Sequence, residues 1–176
     1  MTDICLVPVK FSNTSFLRRI LNELNRKFRS QLNVLNLEYD IEKTFSKERG
    51  QYFSSQIIAD ISQFTGGGNG KVLLITDADL YVPVLTFVFG EAQLNGKHSI
   101  VSVCRLHEEF YSGISDDELL FKRTMKEVLH EMGHNFGLLH CIDWDCVMHS
   151  SQGIEEVDIK GEFYCKSCAV HIDGLK

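Results

Sequence analysis

Residues 130–140 read His-Glu-Met-Gly-His-Asn-Phe-Gly-Leu-Leu-His, and this stretch constrains the chain more than any other. The residues before it predict a helix, in which His134 lies about 40° around the axis from His130 and one turn along. Both imidazoles can therefore reach one metal ion, and Glu131 lies beside them without having to be a ligand. The simpler alternative is a surface helix whose two histidines face solvent.

Two further positions argue against that alternative. Gly137 allows the backbone to bend sharply out of the helix, and His140 follows where the chain can bring back a third nitrogen ligand. Three neutral imidazoles leave the charge of a zinc ion intact and a fourth position open for water, whose pKa then falls toward about 7. The pattern predicts a catalytic zinc site on His130, His134 and His140.

Four of the six cysteines lie in the last quarter of the chain, at Cys141, Cys146, Cys165 and Cys168. Four thiolates can fill a tetrahedral zinc site and leave no open position, so this second site is predicted to be structural. We expect a cytoplasmic location, because Asp3 stands where a secretory signal would be basic, and a reducing compartment favours metal over disulfides. Disulfides are the alternative, and four thiolates also accept iron. Cys5 and Cys104 are expected to be small buried apolar groups.

The composition is that of an ordinary globular domain, with 176 residues, 44% apolar and 24% charged. A net charge of -6 without a basic run argues against nucleic acid as a partner, and no apolar run approaches the roughly 18 residues of a membrane span. We expect one monomeric domain over residues 1–176. Its N-terminal subdomain (1–137) carries the active-site helix, and the cysteine site holds a small C-terminal subdomain (138–176).

Strand and helix patterns alternate through the first half of the chain. Strands are predicted at 3–9, 32–41, 72–76, 85–89 and 100–106. A first helix, for which Ser12, Asn13 and Thr14 are the candidate N-caps, is predicted to run to Phe28, and a second to cover 51–64. The glycine-rich run 66–70 leaves a helix and enters a strand, the reverse of a phosphate-binding loop, so it is interpreted as a flexible connector. A long helix is predicted from a capping box at Ser115 to Glu118 as far as Gly137. These patterns indicate an α+β fold, a mixed sheet with packed helices.

The three histidines, Glu131 and the later Met148 resemble the metzincin clan of zinc peptidases. The four cysteines resemble one branch of that clan, the archaemetzincins. There is one departure, because sixteen residues (149–164) separate Met148 from Cys165 where the family pattern has seventeen. The resemblance implies a metzincin-like twisted mixed β-sheet with an active-site helix, a peptide or protein substrate, and two zinc ions per chain, one catalytic and one structural.

The same resemblance implies roles for three further regions. Met148 would lie in a tight turn under the catalytic metal as apolar support, where the alternative is an ordinary core methionine. Ser150 stands where some relatives have a tyrosine, so no phenolic ligand or donor is expected there. An extended substrate would lie against an edge strand within residues 86–93, where the alternative is a plain strand followed by a turn.

The predicted function is a zinc-dependent metallopeptidase. Glu131 would act as general base, taking a proton from the metal-activated water and returning it to the leaving amine. The alternative is a zinc-stabilised peptide- or protein-binding module with little hydrolytic activity. The presence of Glu131 favours the enzyme, because a purely structural site has no use for a carboxylate beside an open metal position.

Overall fold

Eight strands form two sheets in the computed structural model, which describes residues 3–68 and 70–173. The strands are β1 (Ile4–Pro8), β2 (Leu32–Val34), β3 (Phe45–Ser46), β4 (Gln51–Phe53), β5 (Lys71–Thr76), β6 (Leu80–Tyr81), β7 (Gly90–Ala92) and β8 (His98–Ser102). The main sheet has the order β2-β1-β5-β8-β7, and β7 lies at its edge, antiparallel to β8 in an otherwise parallel arrangement. Strands β3, β4 and β6 form a smaller sheet.

Helices cover both faces of the main sheet. They are α1 (Thr14–Phe28), α2 (Ser54–Thr65), α3 (Glu109–Ser112), α4 (Asp117–Asn135), α5 (Ile154–Ile159) and α6 (Lys166–Asp173). Because side chains alternate along a strand, Leu73 and Ile75 of β5 pack in one core with α1 and α4, whereas Val72 and Leu74 pack in a second core with α2. The predicted mixed sheet with packed helices is confirmed.

The two long helices begin at polar caps. The Asn13 side chain accepts a hydrogen bond from Phe16 N at 3.0 Å and caps α1, so the structure selects one of the three candidate caps. The predicted capping box on α4 is wrong in detail, because the cap is Asp116, whose carboxylate accepts from Leu119 N at 2.9 Å. Glu118 instead forms an ion pair with Arg19 of α1 at 2.8 Å, so a contact between two helices replaces the predicted hydrogen bond within the cap of α4.

Several predicted strands have different bounds in the structure. The strand predicted at 32–41 ends at Val34 and is followed by a 3-10 turn, Ile41–Thr44. The helix predicted at 51–64 begins only at Ser54, because residues 51–53 form a strand that pairs with β3 and β6. Residues 85–89 form no strand, and the segment predicted at 100–106 divides into β8 and a 3-10 turn, Cys104–Leu106. The glycine run does connect α2 to β5, although its residue 69 lies outside the described residues.

Ion pairs and hydrogen bonds hold the segment around α5 against α4. Arg123 binds Asp158 through Nε at 2.7 Å, and Lys126 Nζ donates to the carbonyls of Asp158 and Lys160, each at 2.8 Å. Lys160 is itself buried, with its ammonium 2.7 Å from the Glu127 carboxylate. These contacts hold the chain from Asp158 to Lys160 against the middle of α4. Among the described residues, no helix has the length and apolar character needed to cross a membrane.

Glu127→Leu should lower the free energy of unfolding by about 3–5 kcal/mol, because it leaves the Lys160 ammonium buried without its counter-charge. Urea denaturation measures the change. Glu127→Leu/Lys160→Met should recover most of the loss, since no charge then remains buried. The exposed Glu118 of the Arg19 pair is the matched control, and Glu118→Leu should cost less than about 1 kcal/mol. A double variant as unstable as the single one would contradict this account.

Candidate metal centre

The last two turns of α4 and the chain after it bring three histidines together. His130 Nε2 and His134 Nε2 lie 3.1 Å apart, and the His140 ring centre lies 5.3 Å from that of His130 and 5.0 Å from that of His134. Gly137 has a φ of +87°, a conformation that favours glycine and that turns the chain back toward the helix. The three residues predicted from the sequence therefore converge, each offering one nitrogen within 4.8 Å of the others.

Backbone carbonyls orient two of these rings. His130 Nδ1 lies 2.9 Å from the Val147 carbonyl oxygen, and His134 Nδ1 lies 2.7 Å from that of Leu138. When Nδ1–H donates to these oxygens, each Nε2 is left with a free lone pair. Burial lowers the pKa of both imidazoles, and also that of His140, which favours the neutral form that a metal requires.

The nitrogen spacing fits a zinc ion. Zinc–nitrogen bonds of about 2.0–2.1 Å place two tetrahedral ligands roughly 3.3 Å apart, close to the 3.1 Å between His130 Nε2 and His134 Nε2. His130 is buried, His134 is partly buried and His140 is exposed, so the cluster opens toward solvent on the His140 side. A donor set of this kind suits a metal ion with an open coordination position.

Glu131 is buried next to this cluster, packed against the edge strand. A Cβ built on Gly90 would lie 2.7 Å from both Cγ and Oε1 of Glu131, so the carboxylate rests directly on the backbone of β7. Burial, reinforced by the negative charge of Glu127, raises the pKa of Glu131 well above its usual range. A carboxylate with this affinity for protons is suited to accept one from water.

The four clustered cysteines also converge. Their sulfur atoms all lie within 4.8 Å of one another, and Cys141 Sγ lies 3.9 Å from Cys165 Sγ. Zinc–sulfur bonds of about 2.3 Å place tetrahedral thiolates about 3.8 Å apart, so this set fits zinc as well. Among the described residues all six cysteines are free thiols. Cys5 and Cys104 lie outside both clusters and are only partly buried, where the sequence predicts buried groups.

A cleft of about 740 Å³ lies over the three histidines. The edge strand and the residues before it line the cleft, together with Glu127 and Glu131 of α4. Ser150, the residue at the position where some relatives have a tyrosine, also lines the cleft. Met148 is fully buried, and its sulfur packs against the backbone of α4 at Gly133, which lies between the two helical histidines.

Sequence reasoning did not identify two features of this region. The first is the Glu127–Lys160 pair at 2.7 Å, although Glu127 precedes Glu131 by one helical turn and therefore shares its face. The second is the contact between Gly90 and Glu131, which joins the edge strand to the end of α4. No local pattern around Gly90 distinguishes it from an ordinary strand glycine.

Comparison with known proteins points to one family. The model of peptidase family M54 matches residues 15–174. The archaemetzincin of Methanocaldococcus jannaschii is 36% identical over 168 residues, which cover 94% of this chain and 89% of the relative. The archaemetzincin of Saccharolobus solfataricus is 33% identical over 174 residues, covering 98% of this chain and 93% of the relative.

Solved structures agree with this comparison. The crystal structure of a zinc-dependent peptidase from Methanocorpusculum labreanum has a TM-score of 0.86 and 29% identity, covering 96% of this chain and 99% of that one. An archaemetzincin structure from Archaeoglobus fulgidus, complexed with malonate, has a TM-score of 0.82 and 32% identity, covering 97% and 99%. The arrangement of sheet and helices described above is therefore shared over nearly the whole chain.

Gly90→Ala should lower the free energy of unfolding by about 1–3 kcal/mol, because the added methyl group overlaps the Glu131 side chain. Urea denaturation of the variant in the wild-type and Glu131→Ala backgrounds separates this contact from the carbonyl of Ile100, which the methyl also approaches. The penalty should be smaller when residue 131 is alanine. Gly67→Ala is the control, since a Cβ there meets no atom within 4 Å. Equal penalties in both backgrounds would show that Gly90 does not accommodate Glu131.

Proposed function

The chain belongs to peptidase family M54, the archaemetzincins, and is a zinc-dependent metallopeptidase, and on this premise we propose that Glu131 is its general base. The observation that carries the proposal is the position of Glu131, buried beside three converging histidine nitrogens and facing a cleft. Family membership favours this enzyme over the alternative of a binding module with little hydrolytic activity.

Two zinc ions per chain are part of the proposal. His130, His134 and His140 would hold the catalytic ion, and Cys141, Cys146, Cys165 and Cys168 would hold the structural one. The support is the donor chemistry of each set, because three neutral imidazoles leave a coordination position open whereas four thiolates close it. The structural ion would hold a C-terminal subdomain (138–176) against the N-terminal subdomain (1–137) of a single domain.

The chemistry divides between the metal and the protein. When bound, zinc supplies a Lewis acid that polarises the scissile carbonyl and makes water acidic near neutral pH. Glu131 accepts the proton from the attacking water and delivers it to the leaving amine. The Val147 and Leu138 carbonyls hold His130 and His134 in the tautomer that leaves Nε2 free. Gly90 keeps the Glu131 side chain close to the strand along which a substrate would lie.

The edge strand β7 is the proposed binding place of the peptide. Among the described residues, β7 pairs only with β8, so its other edge carries no strand and can bind an added one. Gly90, Glu91 and Ala92 of β7 all line the cleft. The sequence prediction placed this function within residues 86–93, and β7 occupies Gly90–Ala92 of that range. Main-chain pairing tolerates varied side chains, so the substrate is expected to be an extended peptide or an unfolded protein segment. A cytoplasmic location, a monomeric state and no binding to nucleic acid remain predictions.

Protein purified without added metal should contain two zinc ions per chain, because the two donor sets are separate and each is complete. Elemental analysis by mass spectrometry measures the ratio of zinc to protein. His134→Ala should reduce the ratio to one, and His107→Ala, whose ring lies outside both donor sets, should leave it at two. A ratio of one in the wild type would contradict the two-site proposal.

Glu131→Ala should retain both ions and the fold while lowering the rate of peptide hydrolysis by about 10²–10⁴-fold, because it removes the proton-transfer group and no ligand. Hydrolysis of a mixed peptide library, followed by mass spectrometry, first identifies a substrate and then gives the rates. The control is Glu155→Ala, an exposed carboxylate outside the cleft, which should leave the rate unchanged. A Glu131→Ala enzyme with most of its activity would refute the assignment.

A further inference from the structure

The two donor sets are linked at three of the four cysteines. Cys141 directly follows the proposed ligand His140. The amide of Cys141 donates to the Met148 carbonyl at 2.9 Å, and its own carbonyl lies 3.0 Å from His149 Nδ1. One ligand of each proposed site is therefore carried by two consecutive residues, and these cannot move independently.

The second link passes through Cys146. Its neighbour Val147 supplies the carbonyl that orients His130, at 2.9 Å from Nδ1. Both Cys146 and Val147 are fully buried, and the amide of Val147 donates to the Phe163 carbonyl at 2.8 Å. A shift of Cys146 would therefore move the oxygen that fixes the tautomer and direction of His130.

The third link is the side chain of Tyr164, which directly precedes Cys165. Its hydroxyl donates to the carbonyl of Leu129 at 2.6 Å, immediately before His130 in α4. Its ring also reaches the backbone of Gly133, since a Cβ built there would lie 3.2 Å from Tyr164 Cε1. One aromatic side chain thus contacts the active-site helix immediately before His130 and immediately before His134.

We propose that the four-cysteine site and the three-histidine site bind metal cooperatively, with Tyr164 as a positioning residue that carries part of the coupling. The inference rests on the two-zinc proposal made above. Filling the cysteine site would immobilise three chain segments that also position the histidines. The second ion would then bind to histidines that are already held in place, and its binding would cost less conformational entropy. Because coupling between binding sites is reciprocal, filling the histidine site should strengthen the cysteine site by the same factor.

The opposing possibility is two independent sites that merely lie near each other. In that case the cysteine site would have the same affinity whether or not the histidine site can bind metal. Tyr164→Phe distinguishes these cases, because it removes one hydroxyl and keeps the ring, its packing and every metal ligand. Tyr39→Phe is the matched control, since it removes a hydroxyl that bonds Asp60 at 2.9 Å, outside both metal sites.

The experiment measures cobalt(II) affinity of the cysteine site by competition with a chelator, using the absorbance of thiolate-bound cobalt as the signal. His134→Ala disables the other site. We expect it to weaken cobalt binding at the cysteines about fivefold or more, the usual lower range of coupling between sites. The same substitution should have a smaller effect in the Tyr164→Phe background and an unchanged effect in the Tyr39→Phe background.

Each outcome decides the question. Cysteine-site affinity that changes less than about twofold on His134→Ala would overturn the coupling. Coupling that is identical in the Tyr164→Phe and wild-type backgrounds would overturn the role of Tyr164. Two ions with independent affinities would overturn this inference alone, whereas a single ion per chain would overturn the two-zinc proposal as well. If Tyr164→Phe changes thermal stability but not the coupling between the sites, Tyr164 has a purely structural role, and its part in the inference is overturned.

Discussion

The left-handed backbone at Gly137, with a φ of +87°, determines how the three-histidine cluster is assembled. The helix that carries His130 and His134 ends two residues before this glycine, and the turn redirects the chain so that His140 returns to the other two. The same turn brings the Leu138 carbonyl to His134 Nδ1 at 2.7 Å. A side chain at this position would be strained, because L-residues rarely adopt such a conformation.

A second constraint is that polar groups of the site are buried on a helix that also belongs to the core. Glu127, His130 and Glu131 are each 6% exposed or less, and burial of such groups is costly unless each has a partner. Lys160 supplies a charge for Glu127, and the Val147 carbonyl supplies an acceptor for His130. Both partners come from the chain after the helix, so the C-terminal segment completes the site.

The limits of sequence reasoning are visible in the strands. β1 and β5 were predicted nearly to their bounds, because their side chains are apolar and buried on both faces of the sheet. Residues 51–53 were predicted as helix but form β4, since Tyr52 pairs with Leu80 of a strand much later in the chain. The strand predicted at 85–89 is absent because Val88 makes only an isolated bridge to Leu80. Such short strands depend on a distant partner more than on local propensity.

The sequence by itself determined which residues are candidate donors, because helical spacing and a glycine turn are local properties that group the three histidines, and the four cysteines are clustered in the chain. Only the tertiary structure decided how those donors are supported, through the contact of Gly90 with Glu131 and the hydrogen bond from Tyr164 to Leu129. Each of these pairs joins segments more than 30 residues apart in the sequence. Periodicity and spacing in the sequence indicate which residues share a face of one helix or strand. Which of these faces contact each other is decided by the packing of the helices and strands in the tertiary structure.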